Sequence, residues 1–338
     1  MEHLIGRKVL ADVINKYGVT IIPAMTVLNE DSVKLLYNHR IDESTLALEP
    51  LPAQREASSQ NRKLLKQTVT RSKELFESIS DSGRIPLTNI RQEILPAVRD
   101  LSGNPDLFEL FEIVKAKDDY TFEHNIGVGI IATLIGSWMN LSEEELSTLS
   151  LAATLHDIGK VKVPAAILNK PGKLTDEEFE IVKKHTVYGY ELLKDAAGIN
   201  PRVALVALQH HEREDGRGYP HGLEKSRIDP FSAIVAIADI FHAMSSKRPY
   251  REATPFHEIV AQMRQGKFGD LNPQIVSLFL DNLMKKLLGR QVVLTDGRAA
   301  EVVYLNPHNM EAPLVKAGEQ FIDLSKIRNV QIREIALV

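Results

Sequence analysis

Leu155-His156-Asp157-Ile158-Gly159-Lys160 closes an apolar helical run that begins at Leu146. Gly159 reads as the helix stop, which leaves His156 and Asp157 side by side at the mouth of the helix, able to reach one metal cluster from adjacent angles. A carboxylate in such apolar surroundings is costly unless it is paired or coordinated. The simplest partner is Lys160, an i to i+3 ion pair, and on this stretch alone that alternative stays open.

Working outward, other residues of the same kind stand on helical patterns. His124 is followed by Val128, Ile131 and Ile135 at i+4, i+7 and i+11, the inward stripe of an amphipathic helix. A lone inward histidine can equally be a hydrogen-bonded core residue. His185 follows a capping sequence, Thr175 with Glu178 three residues on, and shares its inward positions with Phe179, Val182 and Gly189. His210 and His211 end the apolar helix Val203 to Leu208, just before the loop Glu212-Arg213-Glu214-Asp215-Gly216-Arg217-Gly218-Tyr219-Pro220, whose glycines let backbone N–H groups approach an anion. Asp239 follows the run 233–238, Ala-Ile-Val-Ala-Ile-Ala, in a helix apolar nearly all round. Taken singly, Asp239 reads as well as an ion pair or a protonated acid. Together, His124, His156, Asp157, His185, His210, His211 and Asp239 on successive helices point to a binuclear metal centre. Two ions about 3.5 to 4 Å apart serve phosphoester hydrolysis by generating hydroxide and clamping the attacking and leaving oxygens.

Composition narrows the classes. The chain has no cysteine, so disulfides, thiolate zinc sites and cysteine nucleophiles are excluded. Any transition metal must be held by imidazole and carboxylate, a set that suits Fe, Mn, Co, Ni or Zn. The net charge of −4 offers no footprint for long nucleic acid, though a local basic pocket for a small phosphate ligand is compatible with it. No stretch approaches the apolar length of a membrane span. The opening residues MEHLIGRKVLADV carry charge inside the apolar run and lack a small-residue cleavage site, so a cytoplasmic protein without membrane attachment is expected.

With 338 residues, more than one domain is the default. Residues 1–52 read as a small β-rich module, with the β-branched run Val19 to Ile22, a Gly18 turn and an amphipathic segment from Asp31 to Tyr37. Pro50 and Pro52 punctuate its end. Residues 53–115 read as a helical linker, with Leu64, Leu65, Val69, Leu75, Ile79, Ile90, Ile94 and Val98 at helical spacings. These fit either packing on the next domain or a coiled-coil homodimer contact. Residues 116–286 form the all-helical catalytic domain. Residues 287–338 are a β-rich module, with a hairpin through Asp296-Gly297, a strand at Phe321-Ile322 and a final alternation Val330-Gln331-Ile332. The fold class is mainly α with small β modules at both ends, each short for an independent core, so that packing of the two together is one option.

The run from about Tyr120 to Arg251 resembles the HD-GYP subgroup of the HD phosphohydrolase superfamily. The resemblance lies in H-D-I-G-K at 156–160, V-P-A-A-I-L-N-K-P-G-K-L-T at 163–175, H-H-E-R-E-D-G-R-G-Y-P at 210–220 and A-D-I-F-H-A-M-S-S-K-R-P-Y-R at 238–251. It implies a bacterial cyclic di-GMP phosphodiesterase of second-messenger signalling, forming pGpG at two divalent ions, iron or manganese, with further cleavage to GMP left open. The seven residues named above map onto its ligands, with Asp157 as the bridge and, with Lys160, the catalytic pair. Lys160, Gly218, Tyr219, Arg248 and Arg251 map onto substrate contact. For Tyr219, packing that fixes the turn is an equal reading.

Several positions depart from the family pattern. Tyr120 stands where some members carry a Glu for a third metal, so two metals are implied, and Glu123 points about 100° away around a helix. Glu214 replaces a usual Trp, Lys247 a common Asp and His242 a usual Asp. His242 lies one helical turn beyond Asp239, where it either supports the ligands or faces solvent. The rival readings are hydrolysis of another cyclic dinucleotide or nucleotide, and a catalytically weak sensor or adaptor that binds the dinucleotide.

Overall fold

A computed structural model describes residues 1–49, 52–104, 106–115, 120–170, 172–246, 254–267, 269–306, 309–327 and 329–336. The chain divides into two compact units, residues 1–60 together with 284–338, and residues 61–283.

In the first unit a short antiparallel hairpin, β1 (Val13–Ile14) and β2 (Thr20–Ile22), precedes α1 (Glu30–Asn38). The Asn29 side chain caps α1 by accepting from the Ser32 N–H at 2.8 Å. Leu4, Val9, Val13, Ile22, Leu28, Leu36, Leu46 and Leu48 converge into one small core. The C-terminal residues of this unit form a five-stranded antiparallel sheet in the order β6-β5-β4-β3-β7. Its strands are β3 (Gln291–Leu294), β4 (Ala299–Asn306), β5 (Asn309–Ala317), β6 (Gln320–Asp323) and β7 (Ile332–Ile335). Strands β3 and β4 pair with Val292 opposite Ala300, closing the hairpin expected at Asp296-Gly297. Strand β5 went unforeseen, because Pro313 and a lack of alternation disguise it. Pro313 falls in the irregular stretch of the β4–β5 ladder between Leu314 and Asn309, where a missing N–H costs little. Lys316 on β5 pairs with Asp42 at 3.2 Å, tying the two ends of the sequence together.

The second unit is helical. It takes in most of α2 (Pro52–Ser82), then α3 (Leu87–Asn89), a π-helical turn over Ile90–Ile94, α4 (Leu95–Ser102) and α5 (Leu107–Val114). The π turn is followed, after Leu95, by Pro96, which has no N–H to give to a regular helical ladder. Val69, Leu75, Ile79, Ile90, Ile94 and Val98 are buried, and Phe76 of α2 meets Phe122 edge to face with centroids 5.8 Å apart. There follow α6 (Tyr120–Trp138), α7 (Glu143–Thr154), α8 (Ala165–Leu168), α9 (Asp176–Lys183), α10 (His185–Leu193) and α11 (Pro201–Gln209). The last are α12 (Pro230–Ser245), α13 (Phe256–Arg264) and α14 (Pro273–Lys285).

Helix α6 lies at the centre, packed on α4, α7 and α12, and α10 and α11 pack together. Both α6 and α12 are buried on nearly every side, which is why the stripe read at His124 is only part of an apolar surround. Among the described residues no helix is long and apolar enough to cross a membrane.

Leu36 is fully buried at the heart of the first unit's core. Leu36→Ala is expected to cost that unit about 2–5 kcal/mol through lost burial and a residual cavity. Urea unfolding followed by circular dichroism would report an earlier transition, and an unchanged curve would show that the cluster is loosely packed.

Candidate metal centre

The His-Asp pair is positioned by two breaks in regular structure. Helix α7 ends at Thr154, and His156 and Asp157 occupy the turn before a 3-10 helix over Ile158–Lys162. Gly159 therefore does not stop the helix, which has ended five residues earlier. Its role is close approach: a β-carbon there would lie 1.9 Å from the His185 carbonyl oxygen and 2.4 Å from the Gly189 nitrogen. Bare backbone at 159 lets the turn settle onto α10, and Asp157 Oδ1 then comes within 3.1 Å of His185 Nε2.

The expected helix through His185 is two helices, α9 and α10, broken at Lys184, with the capping box at Thr175 and Glu178 intact. Phe179 was expected to face inward, yet it is 45% exposed and sets its ring edge against Tyr219, centroids 6.3 Å apart. The break frees α9 to lie on the surface while α10 turns His185 inward.

Helices α11 and α12 are clamped at their starts. Arg202 donates twice to Asp229, at 2.9 Å each, and the Asp229 N–H donates to Gln209 Oε1 at 2.9 Å. This holds His210 and His211, just past the end of α11, opposite Asp239 on α12.

Three rings share one local geometry. His156 Nδ1 lies 2.7 Å from the Ala153 carbonyl, His185 Nδ1 2.7 Å from that of Val182, and His210 Nδ1 3.0 Å from that of Ala207. A carbonyl only accepts, so each Nδ1 carries the proton and each Nε2 presents a lone pair. The lone pairs converge. His185 Nε2 and His210 Nε2 are 3.3 Å apart, two acceptors facing each other. His156 Nε2 and Asp157 Oδ1 are fully buried without a hydrogen-bond partner. Such an arrangement is unfavourable unless a cation lies among these atoms, and nitrogen and oxygen donors without thiolate suit a divalent transition metal.

Two donor groups share one residue. Asp157, His185, His210 and His211 each offer an atom within 4.8 Å of the others, and so do His124, His156 and Asp157. Asp239 spans them, its Oδ1 3.0 Å from His124 Nε2 and its Oδ2 3.9 Å from His211 Nδ1. All seven residues expected as ligands are thus brought together, and all but His211 are buried.

Burial raises the pKa of both carboxyls, but their cationic and imidazole neighbours outweigh it. Lys160 and His156 hold Asp157 well below the carboxylate range, and His124 does the same for Asp239. Burial lowers His124, His210 and His211. These directions favour ionised Asp157 and Asp239 and neutral His124, His210 and His211, the forms that ligate metals. His156 is the exception: burial lowers it, yet Asp157 raises it on balance.

Lys160 Nζ donates to Asp157 Oδ2, so the ion pair and the cluster coexist. Tyr219 stacks on His211 with centroids 4.5 Å apart and 29° between planes, and burial raises its phenol pKa. At Gly218 a β-carbon would meet Glu212 and Arg213 backbone at 2.4 Å, which keeps the loop pressed against the end of α11. Arg248, Arg251 and Lys247 lie outside the described residues, and Tyr120 is described in its backbone alone. Glu214 accepts from Asn272 at 2.7 Å and lies 3.5 Å from Lys225. His242 is wholly buried rather than facing solvent.

Residues 110–272 match the family model described as HD domain. A cyclic di-GMP phosphodiesterase of Pseudomonas aeruginosa is 35% identical over 203 residues, 60% of this chain and 49% of that protein. One from Thermotoga maritima is 41% identical over 179 residues, 52% of this chain and 49% of that one. A 3′3′-cGAMP-specific phosphodiesterase of Vibrio cholerae is 38% identical over 163 residues, 48% of this chain and 35% of its own length. The chain thus spans about half, or less, of the curated relatives it matches. In fold it resembles an HDG"Y"P protein from Bdellovibrio bacteriovorus, with a TM-score of 0.54 at 16% identity, over 83% of this chain and 94% of that one.

Glu212 was quoted within the 210–220 run without a role of its own. It is a buried carboxylate that accepts from the N–H groups of His221 and Leu223, both at 2.8 Å. The signal available was an acid directly after a His-His pair at a helix end, in a glycine-rich loop that needs acceptors for its backbone N–H groups. Glu212→Ala would strand two donors. It is expected to cost about 3 kcal/mol and to speed proteolytic cleavage between 213 and 223, read by thermal unfolding and timed digestion. Wild-type behaviour in both assays would show that the loop does not depend on this carboxylate.

Proposed function

We propose, from the match of residues 110–272 to the HD domain family model, that this chain is a metal-dependent phosphodiesterase that hydrolyses cyclic di-GMP to linear pGpG, with GMP from a second cut. The observation that carries the reading is the pair of donor groups joined at Asp157. In this assignment His124, His156, Asp157 and Asp239 hold one divalent ion, and Asp157, His185, His210 and His211 hold the second. Iron or manganese is the proposed occupant, in keeping with a donor set of imidazole and carboxylate. When bound, such ions supply Lewis acidity toward phosphoryl oxygen and acidify water.

The protein's own groups orient the reaction. Asp157 and Asp239 are held ionised by the basic groups around them. Lys160, a quarter exposed beside Asp157, offers positive charge to a phosphate as negative charge develops on it. Tyr219, stacked on His211, offers an aromatic ring beside a purine, and Gly218 contributes to substrate contact by keeping its loop against the end of α11. Arg248 and Arg251, assigned from the sequence motif alone, supply forks for phosphate or guanine. Water adds to phosphorus, the P–O3′ bond breaks, and the leaving oxygen takes up a proton.

The substrate assignment follows the relatives named as cyclic di-GMP phosphodiesterases. A second reading, 3′3′-cGAMP, is favoured by the Vibrio cholerae relatives named for that molecule.

Anaerobic purification, elemental analysis and chromatography of products from both dinucleotides test the proposal. Wild-type protein is expected to carry divalent metal and to release pGpG, whereas the His156→Ala/Asp157→Ala double variant loses both. Full turnover by that variant would overturn the mechanism, and tight binding of cyclic di-GMP without product in metal-loaded protein would make the chain a sensor. Faster cleavage of 3′3′-cGAMP would transfer the assignment to the second reading.

A further inference from the structure

His124 differs from the other ring ligands in one respect. Among the described residues its Nδ1 faces the Nδ1 of His242, at 3.0 Å, both rings being buried. Two identical nitrogens at that distance need one proton between them, and the question is which ring supplies it. The other end of His242 answers: its Nε2 lies 2.7 Å from the Val114 carbonyl. That carbonyl can only accept, so His242 carries its proton on Nε2 and offers a lone pair at Nδ1. His124 must then donate from Nδ1, which leaves Nε2, 3.0 Å from Asp239 Oδ1, as the nitrogen that would ligate a metal lying between them.

We propose that His242 is a positioning residue that holds His124 in its Nε2-ligating tautomer, through a chain running from the Val114 carbonyl to His242 to His124. This rests on the reading of His124 as a metal ligand. The usual Asp at 242 would accept the same hydrogen bond with a full negative charge. A neutral imidazole does so only because Val114 dictates its tautomer, which makes a backbone carbonyl on α5 part of the support of the site. The larger side chain also needs space on α6. A β-carbon on Gly127, one turn from His124, would lie 2.2 Å from His242 Nε2 and 2.3 Å from Cδ2. Gly127 and His242 are therefore a matched pair.

Partners that orient a ligating histidine are worth about 10- to 100-fold in metal affinity. His242→Ala is expected to lose that much at the group containing His124 and His156, so that dialysis against a weak chelator lowers the metal content by about one ion per chain. His242→Gln, whose amide both accepts and donates, is expected to recover most of the loss. Gly127→Ala, which displaces the ring, is expected to resemble His242→Ala.

A second measurement is independent of metal. In metal-free protein, long-range ¹H–¹⁵N spectra should show His124 protonated at Nδ1 in the wild type and a mixture of tautomers in His242→Ala, with circular dichroism confirming the fold. Wild-type metal retention by His242→Ala, or an unchanged His124 tautomer in it, would overturn the proposal. A wild-type protein that binds no metal would instead sink the reading of the site, while the tautomer spectra would still decide the role of His242.

Discussion

The helical unit is organised around the burial of one carboxylate. Asp157 is 2% exposed, and removing a carboxylate from water costs several kcal/mol unless opposite charge and hydrogen-bond donors replace the solvent. Lys160 meets one oxygen, while the other lies 3.1 Å from the His185 Nε2 lone pair, an approach that a cation between them would make favourable. The turn after α7 lies on α10, where Gly159 admits the close approach. The same carboxylate is the only residue common to both donor groups among the described residues, so the geometry at Asp157 sets the spacing between them.

Around that point the histidines are oriented by economical local means. Where a ring sits just after a helical turn, folding back onto a carbonyl three residues earlier is enough to fix its tautomer, as at His156, His185 and His210. His124 is different because it lies inside a continuous helix, where the carbonyls of the preceding turn are already engaged in the ladder. Its Nδ1 must find a partner from another helix, and α12 supplies it in His242. A backbone solution at three positions and a side-chain solution at the fourth follow from the same requirement, that a neutral imidazole keep its lone pair at Nε2.

Outside the helical unit the chain solves a size problem. The hairpin module within residues 1–60 and the sheet within residues 284–338 are each of a size at which a lone core is marginal. They fall into one compact unit, with Lys316 and Asp42 paired between them.

What was legible in the sequence was whatever depends on residue type and local spacing. The helices around the site, the capping box at Thr175, the hairpin turn at Gly297 and the seven donors could all be named, because periodicity, caps and the cost of burying polar groups leave marks in a linear string. Tertiary structure alone decided how those donors meet: that Asp157 is shared, that Asp239 spans the two groups, and that Phe179 points outward once the helix breaks at Lys184. It also decided the fate of His242. On a helix wheel that side chain could face ligands or solvent, and only the contact with Val114 and His124, residues far away in sequence, places it in the support of the site. Gly159, Gly127 and Glu212 belong to the same class, since each answers to an atom brought near by packing between elements.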